Sequence, residues 1–544
     1  MENRIRIDQT GVPAMEPIVF AVLGSGKGRL LNGAGQVVYE FEADGCACDA
    51  ASGDPVQRIS LPGVTEGTYR LLFENDERVL LAANSPWEEL LRLLCRGFYF
   101  QRCGTELRRD FAGPYVHPEC HLAPALLYEN PSESISVTGG WHDAGDYGRY
   151  TGPGAVAVGH LLYAWMLYPD AFKLPHDLPE SGNGVPDILN ECRWELEWML
   201  KMQRADGAVY HKVSKKLFAP FIMPQQDTET EYVFPPSHCA TAAVSACFAL
   251  ASRVFGPYDA AFSEKLLSAA MKGRDYIRDH PEFVSFRNPD GVRTGWYGDN
   301  DMQDECFWME AELYAAAGQE YDLREMEKRM SDTFLPDHLG WREVEGLGIL
   351  CCLKLKERPL PEALRERVLR CQMKGAEESL RLAYSSGYGT ALDENGYVWG
   401  SILPVLSRGI CMLTEYERTG NEEMLLGALL QKQYMTGMNA LDVCFVTGCG
   451  ERSPQNIHHR PSGADGVEAP VPGLVSGGPN SRMNFLSTKE HLLPGTSPAK
   501  AWLDEMPSAD TNEIAIYWNS PAVLLTAGLR HAWLSRRALI SNSF

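Results

Sequence analysis

The chain has 544 residues, 72 acidic against 50 basic side chains for a formal net charge of −22, 44% hydrophobic and 22% charged residues, and a sequence pI near 5.1. Length and balance describe a globular protein of more than one domain, and the negative charge argues against nucleic acid or anionic membrane as partner while leaving a neutral substrate open. MENRIRIDQT carries no apolar leader, no run of about 18 apolar residues suggests a membrane span, and fifteen scattered cysteines suit reduced thiols, so a cytoplasmic protein is expected, or a secreted one if a leader has been removed.

In chain order, residues 1–83 read as strands. Ile5-Arg6-Ile7-Asp8 alternates apolar and polar, and β-rich runs recur at 18–22, 37–41, 69–73 and 79–81 between Gly- and Asp-containing turns. Short strands at that spacing predict a small β-sandwich. Ser85-Pro86-Trp87-Glu88 then predicts a helix start, with Ser85 as N-cap, Pro86 in the first turn and Glu88 closing a capping box. This sets a boundary at 83/84.

From 84 to 544 the pattern is helical. Between Pro186 and Gln203, Ile188, Leu189, Cys192, Leu196, Met199 and Leu200 recur at helical spacing. Similar periods cover 154–167, 238–254, 262–280, 303–317, 345–356, 361–380, 401–419, 422–436 and 519–536. About a dozen helices with long Gly/Pro-rich loops suggest helix pairs. The polar loop 448–510 is long enough to be functional.

The densest chemistry lies in GGWHDAGDYGRY, 139–150. Asp143 and Asp146 stand three apart among four glycines, with Trp141, Tyr147 and Tyr150 beside them. Paired carboxylates and flat rings on a tight loop suit sugar chemistry, in which one carboxylate activates water; an Asp-rich surface turn is the alternative. Glu513 precedes an apolar helix start, where a desolvated carboxyl has a raised pKa, or where a first-turn glutamate complements a helix dipole. Cys103, Cys120, His121 and His142 form a possible Cys2His2 zinc set without zinc-finger spacing, or are ordinary core thiols and a chance histidine. Asp299, Asn300, Asp301, Asp304 and Glu305 crowd oxygen ligands suited to calcium, or make a solvated acidic turn. Trp296, Tyr297, Trp399 and Trp518 can stack on sugars or pack in the core. His458-His459 can serve a sugar, a metal or only a loop.

These segments, together with IRIDQTGV, SGNGVPDILNE, the DE pair at Asp304 and Glu305, YVWGS, NIHHRPSG, PGLVSGGPN and NEIAIYWNS, resemble glycoside hydrolase family 9, the inverting cellulases, over nearly the whole chain. The resemblance implies an immunoglobulin-like sandwich (1–83) followed by an (α/α)6-barrel catalytic domain (84–544). It implies Asp146 as catalytic base, Asp143 as the partner that holds the water, and Glu513 as general acid. His458 and Arg460 carry the family's histidine–any–arginine pattern and would donate hydrogen bonds to sugar hydroxyls. Trp518 sits five residues after the acid, where the family has an aromatic; four residues before the acid, where an aromatic is usual, this chain has Ala509. The resemblance also implies a structural zinc on Cys103, Cys120, His121 and His142, and a structural calcium on Asp299, Asp301, Asp304 and Glu305 with Glu343 as a further ligand. The expected activity is endo-β-1,4-glucanase with inversion. The alternative is an exo-acting cellodextrinase, β-glucosidase or exo-glucosaminidase. With no recognisable cellulose-binding module or dockerin, cello-oligosaccharides or amorphous glucan are the expected substrates and a monomer the expected form. A hydrolase with zinc as its chemical centre would need an open ligand position, and a non-catalytic sugar-binding protein would not need Asp143, Asp146 and Glu513 together.

Overall fold

The computed structural model describes residues 3–44, 48–493 and 495–541, with side chains to 537; Cys46 lies outside them. The first eight strands are β1 (Ile5–Arg6), β2 (Val12–Pro13), β3 (Ile18–Leu23), β4 (Gly26–Leu31), β5 (Val37–Ala43), β6 (Val56–Leu61), β7 (Gly67–Phe73) and β8 (Asp76–Ala83). They form a sheet ordered β1-β3-β6 and another ordered β2-β8-β7-β4-β5. Along β8, Arg78, Leu80 and Ala82 are buried while Val79 and Leu81 are exposed, the period of two of a half-buried strand. Phe20, Leu30, Leu71 and Phe73 share the core between the sheets.

The next helix begins at Glu88, not at Ser85. Trp87 occupies its N-cap with φ 64° and no side-chain cap bond is made, so the expected capping box is absent. Tertiary packing overrides it: Trp87 is buried and its indole donates to the Gly11 carbonyl at 2.9 Å. The same junction holds a fully buried ion pair, Lys432 Nζ to Asp8 Oδ2 at 2.7 Å. Thr436 donates to the other Asp8 oxygen at 2.8 Å. Asp8 of the IRIDQTGV segment therefore fastens the sandwich to the helical body.

Six helices form an inner ring: Thr151–Leu167, His238–Phe255, Gln303–Ala317, Glu345–Lys354, Ile402–Thr419 and Ile516–Ser541. The first four pack in succession; Glu362–Ser385 bridges the fourth and fifth, the fifth packs on the sixth, and the sixth packs back on the first. Outer helices, such as Asp187–Met202 and Ala260–Asp279, back them with one buried face. Nearly every residue of His238–Phe255 is buried, as the inner wall requires. It is long and apolar enough to cross a membrane by composition, but 89% of it is buried inside the fold.

The ranges read from periodicity coincide with these helices to within a few residues. Two features were not legible. Glu320–Arg329 is a helix of mostly polar residues. A five-stranded sheet also interrupts the helical pattern: β9 (Ala125–Leu127), β10 (Asn130–Ile135), β11 (Arg149–Tyr150), β12 (Lys212–Ser214) and β13 (Tyr232–Val233), ordered β10-β9-β13-β12-β11. Its strands are two to six residues long, too short to show a period.

Candidate active site

The loop 139–150 enters the inner ring just ahead of Thr151–Leu167. It turns at Gly140, whose φ of 79° suits glycine and whose missing Cβ makes room for the Trp198 ring. The loop is pinned from below. Glu195 accepts the Trp141 backbone N–H at 2.7 Å, and Glu191 accepts its indole N–H at 2.8 Å while pairing with buried Arg102. That explains the Asn-Glu ending of SGNGVPDILNE: its glutamate props up the loop. Gln101 closes the loop from the side, donating to the carbonyls of His142 and Ala144, both at 3.0 Å.

Asp143 and Asp146 meet the start of the last helix. The Ile516 N–H donates to the Asp143 carbonyl at 2.8 Å, and Ala144 bridges Ala515. His458 in turn bridges Glu513. A Cβ on Gly145 would lie 1.9 Å from the His458 carbonyl oxygen, so only glycine lets the three segments close together. The structure thus gathers Asp143, Asp146, Glu513, His458 and Arg460.

The three carboxyls have different surroundings. Asp143 is fully buried; Tyr297 donates its hydroxyl to Oδ2 at 2.5 Å, and Oδ1 has no protein partner. Burial raises the Asp146 pKa, but the Arg460 charge and the Gly148 N–H, 3.0 Å from Oδ2, oppose that rise. Glu513 is pushed well above the usual carboxylate range, first by desolvation and then by the negative charge of Asp146. A carboxyl pushed up by burial beside one whose rise is opposed by a cation and a backbone N–H suits an acid and a base working together.

His458 differs from its expected role. Its Nδ1 lies 2.6 Å from the Met506 carbonyl, and burial lowers its pKa to about 4. The ring is therefore neutral with its proton on Nδ1, and Nε2 is an acceptor, not a donor, for a hydroxyl. Arg460 is partly engaged: Nε donates to the Ala219 carbonyl at 2.7 Å and Nη1 to the Gly145 carbonyl at 2.8 Å, which leaves Nη2 able to donate to a sugar hydroxyl. It braces the loop and acts on both carboxylates through its charge. His459 sits between Ser462 and Gln101, at 2.9 and 3.0 Å, so a His-His metal pair is not formed.

Trp518 also departs from expectation. It is 3% exposed, and a Cβ on Gly400 or Gly477 would lie 2.7 or 2.8 Å from its ring. It is packed core. The residue before it, Tyr517, reaches the site, with its hydroxyl 3.3 Å from that of Tyr297. Sequence reading missed Tyr517 because the phase of the helix start, not the Tyr-Trp pair, decides which ring faces inward. Trp341, with its ring edge-on to Tyr297 at 4.9 Å, had no signal. Trp296 and Trp399 are 43% and 40% exposed. Trp296 anchors its indole on the Phe286 carbonyl at 2.6 Å, and Trp399 meets Phe485 edge-on. Both offer a ring to solvent.

One ligand atom each of Cys103, Cys120, His121 and His142 lie within 4.8 Å of one another. His121 Nδ1 and His142 Nε2 are buried without a hydrogen-bond partner, while His121 Nε2 lies 3.3 Å from Asp227. Two thiols, two orphaned ring nitrogens and a carboxylate behind one imidazole fit a closed zinc site. In the acidic segment, Asp299 Oδ2 and Glu305 Oε2 are buried without partners. Asp304 and Glu305 share a hydrogen bond, and Asp299 acts electrostatically on Glu305 and Glu343. That donor set fits a hard cation. Asp301 Oδ1 accepts the Gln303 N–H at 2.9 Å where the next helix begins.

Comparison with known proteins gives a consistent result. The model of the family described as Glycosyl hydrolase family 9 matches residues 87–526. A cellodextrinase of Butyrivibrio fibrisolvens is 35% identical over 520 residues, 92% of this chain and 94% of that protein. Endoglucanase D of Acetivibrio thermocellus is 33% identical over 474 residues, 85% of this chain and 73% of that protein. The structure of a thermostable endoglucanase mutant from Alicyclobacillus acidocaldarius matches with a TM-score of 0.91 at 32% identity, covering 97% of this chain and 100% of that one.

Proposed function

The chain belongs to glycosyl hydrolase family 9, and from that premise we propose that it is an endo-β-1,4-glucanase acting with inversion on cello-oligosaccharides and amorphous glucan. The observation that carries this reading is the pairing of Glu513, desolvated and raised well above its ordinary pKa, with Asp146, whose rise is opposed by Arg460 and a backbone N–H. Glu513 holds its proton and delivers it to the glycosidic oxygen. Asp146 takes a proton from water as that water attacks the anomeric carbon from the opposite face. Asp143 Oδ1 is the buried oxygen to which this water donates its second hydrogen. His458 Nε2 accepts from a sugar hydroxyl, and the exposed faces of Trp296 and Trp399 carry flanking sugar rings.

Zinc on Cys103, Cys120, His121 and His142 would be structural, since four protein ligands leave no place for water. It would clamp the residue before Asp143. Calcium on Asp299, Asp304, Glu305 and Glu343, with Asp301 beside them, would neutralise the acidic segment next to Tyr297.

Single displacement predicts the α-anomer as the first product from a β-linked glucan, read by proton NMR within minutes of mixing. Asp146→Asn should lose about 10²–10⁴-fold in turnover. A β-anomer appearing first, or an active Asp146→Asn, overturns the assignment. Comparing reducing-sugar release from carboxymethylcellulose with aryl cellobioside cleavage tests endo against exo action.

A further inference from the structure

Lys212 is the residue this mechanism leaves unexplained. It lies in β12, opposite Tyr150 of β11 in the register, one strand from the catalytic loop. It is fully buried, yet no carboxylate forms an ion pair with it among the described residues. A buried ammonium without a counter-ion is costly, and such groups cluster at functional sites.

Its surroundings are built for the charge. All three ammonium hydrogens are used: Nζ lies 2.7 Å from Asn288 Oδ1, 3.1 Å from Thr294 Oγ1 and 2.7 Å from the Gly295 carbonyl. Three aromatic rings cage it, Phe234 at 4.5 Å, Tyr150 at 5.7 Å and Phe286 at 6.0 Å, favourable for a desolvated cation. The acceptors belong to one segment, 288–295, which Asn288 closes by donating to the Thr294 carbonyl at 2.7 Å. Two residues on is Tyr297, in the left-handed region at φ 46°, with its hydroxyl on Asp143.

The titratable and charged groups facing Lys212 are few. Tyr150 of β11 has its pKa raised well above the usual range, and His211, just before β12, has its pKa lowered to about 3, so neither changes charge near neutrality. From the catalytic loop the facing charge is Asp146, and burial brings Lys212 itself down to about 7 against that carboxylate's pull.

We infer that Lys212 is a positioning residue for glycoside cleavage: its caged ammonium holds the 288–297 segment so that Tyr297 meets Asp143, and it supplies, with Arg460, the positive charge facing Asp146. This rests on Asp146 being the base.

The test is kcat and kcat/KM against pH on an aryl cellobioside for Lys212→Met, Lys212→Arg and Asn288→Ala, each with a thermal melt. Lys212→Met should lower kcat by about 10- to 100-fold through misplacement of Tyr297. Removing a positive charge raises the Asp146 pKa, so the acid limb of kcat/KM should move to higher pH, by up to about one unit. Lys212→Arg should return that limb towards wild type. Asn288→Ala should lower kcat and leave the acid limb in place. Wild-type kcat and acid limb in folded Lys212→Met overturn the inference. So does lost activity with an unmoved acid limb that Lys212→Arg leaves unchanged, the mark of a purely structural lysine. If Lys212→Met does not fold, Asn288→Ala decides: reduced kcat with a wild-type melt supports the inference and wild-type kcat overturns it. An active Asp146→Asn overturns the base assignment, whereas an inactive Asp146→Asn beside a wild-type-like Lys212→Met removes only the role of Lys212.

Discussion

Replacing Tyr297 with phenylalanine isolates one hydroxyl at the heart of the site. In the wild-type protein that hydroxyl is the only protein donor to the Asp143 carboxylate among the described residues, at 2.5 Å. The ring itself is held independently, edge-on to Tyr150 at 4.6 Å and to Trp341 at 4.9 Å, so a phenylalanine ring keeps its place. Burial pushes the Asp143 carboxyl well above the usual carboxylate range and the Tyr297 hydroxyl opposes that rise by favouring the charged form; hydrogen bonds to charged groups contribute about 1.5–3 kcal/mol. At about 1.36 kcal/mol per tenfold in rate, full expression of that bond in the transition state corresponds to a loss of about 10- to 150-fold in kcat. The loss should be similar on carboxymethylcellulose and on an aryl cellobioside if Asp143 serves the incoming water, as proposed, and not the leaving group. Initial rates on both substrates, with a melting curve to confirm folding, measure it. A Tyr297→Phe enzyme with kcat within twofold of wild type would refute the placement of Asp143 on the water.

Glu513→Gln should be inactive on unactivated glucan but lose much less on a substrate whose leaving group needs no proton, measured as the ratio of the two rates. On the proposed roles Glu513 acts protonated and Asp146 ionised, so activity should be lost as pH rises through the first pKa and as it falls through the second. Both are raised by burial, and the optimum should lie above the range of ordinary carboxylates in a pH–rate profile. Elemental analysis should find about one zinc per chain, and Cys120→Ser should melt clearly earlier than wild type; zinc-free protein with unchanged melting and activity leaves these residues without a metal. Asp8→Asn strands a fully buried ammonium at Lys432 and should destabilise the chain by about 3–5 kcal/mol, read by calorimetry.

The long helices and the sandwich strands could be read from the sequence because each buries one face and repeats its period over many residues. The loop 139–150 could be read because glycines, carboxylates and rings are dense there. The candidate zinc set was assembled from residues far apart in sequence only through the family resemblance; spacing alone left it open. What stayed hidden was orientation. Nothing in HHR shows that Met506 fixes the His458 tautomer, or that Arg460 braces two carbonyls. Nothing in IYW shows that Tyr517 turns inward while Trp518 lies over Gly400 and Gly477. Lys212 sits in a three-residue strand with no pattern around it, and its importance comes from the segment 288–295, which only the folded chain brings near.

The last inner helix packs back on the first, and this seam is where chemistry is housed. Asp146 precedes Thr151–Leu167 and Glu513 precedes Ile516–Ser541, so the proposed base and acid stand at the entries to the two helices whose meeting completes the ring. During vectorial synthesis the base emerges early and waits for nearly all the remaining chain before its partner appears. A nascent or truncated chain that lacks the last inner helix and its entry segment lacks the proposed catalytic pair. Hydrolytic activity therefore reports closure of the whole barrel, and a pulse-labelled translation assay that follows activity would time the moment at which the ring is sealed.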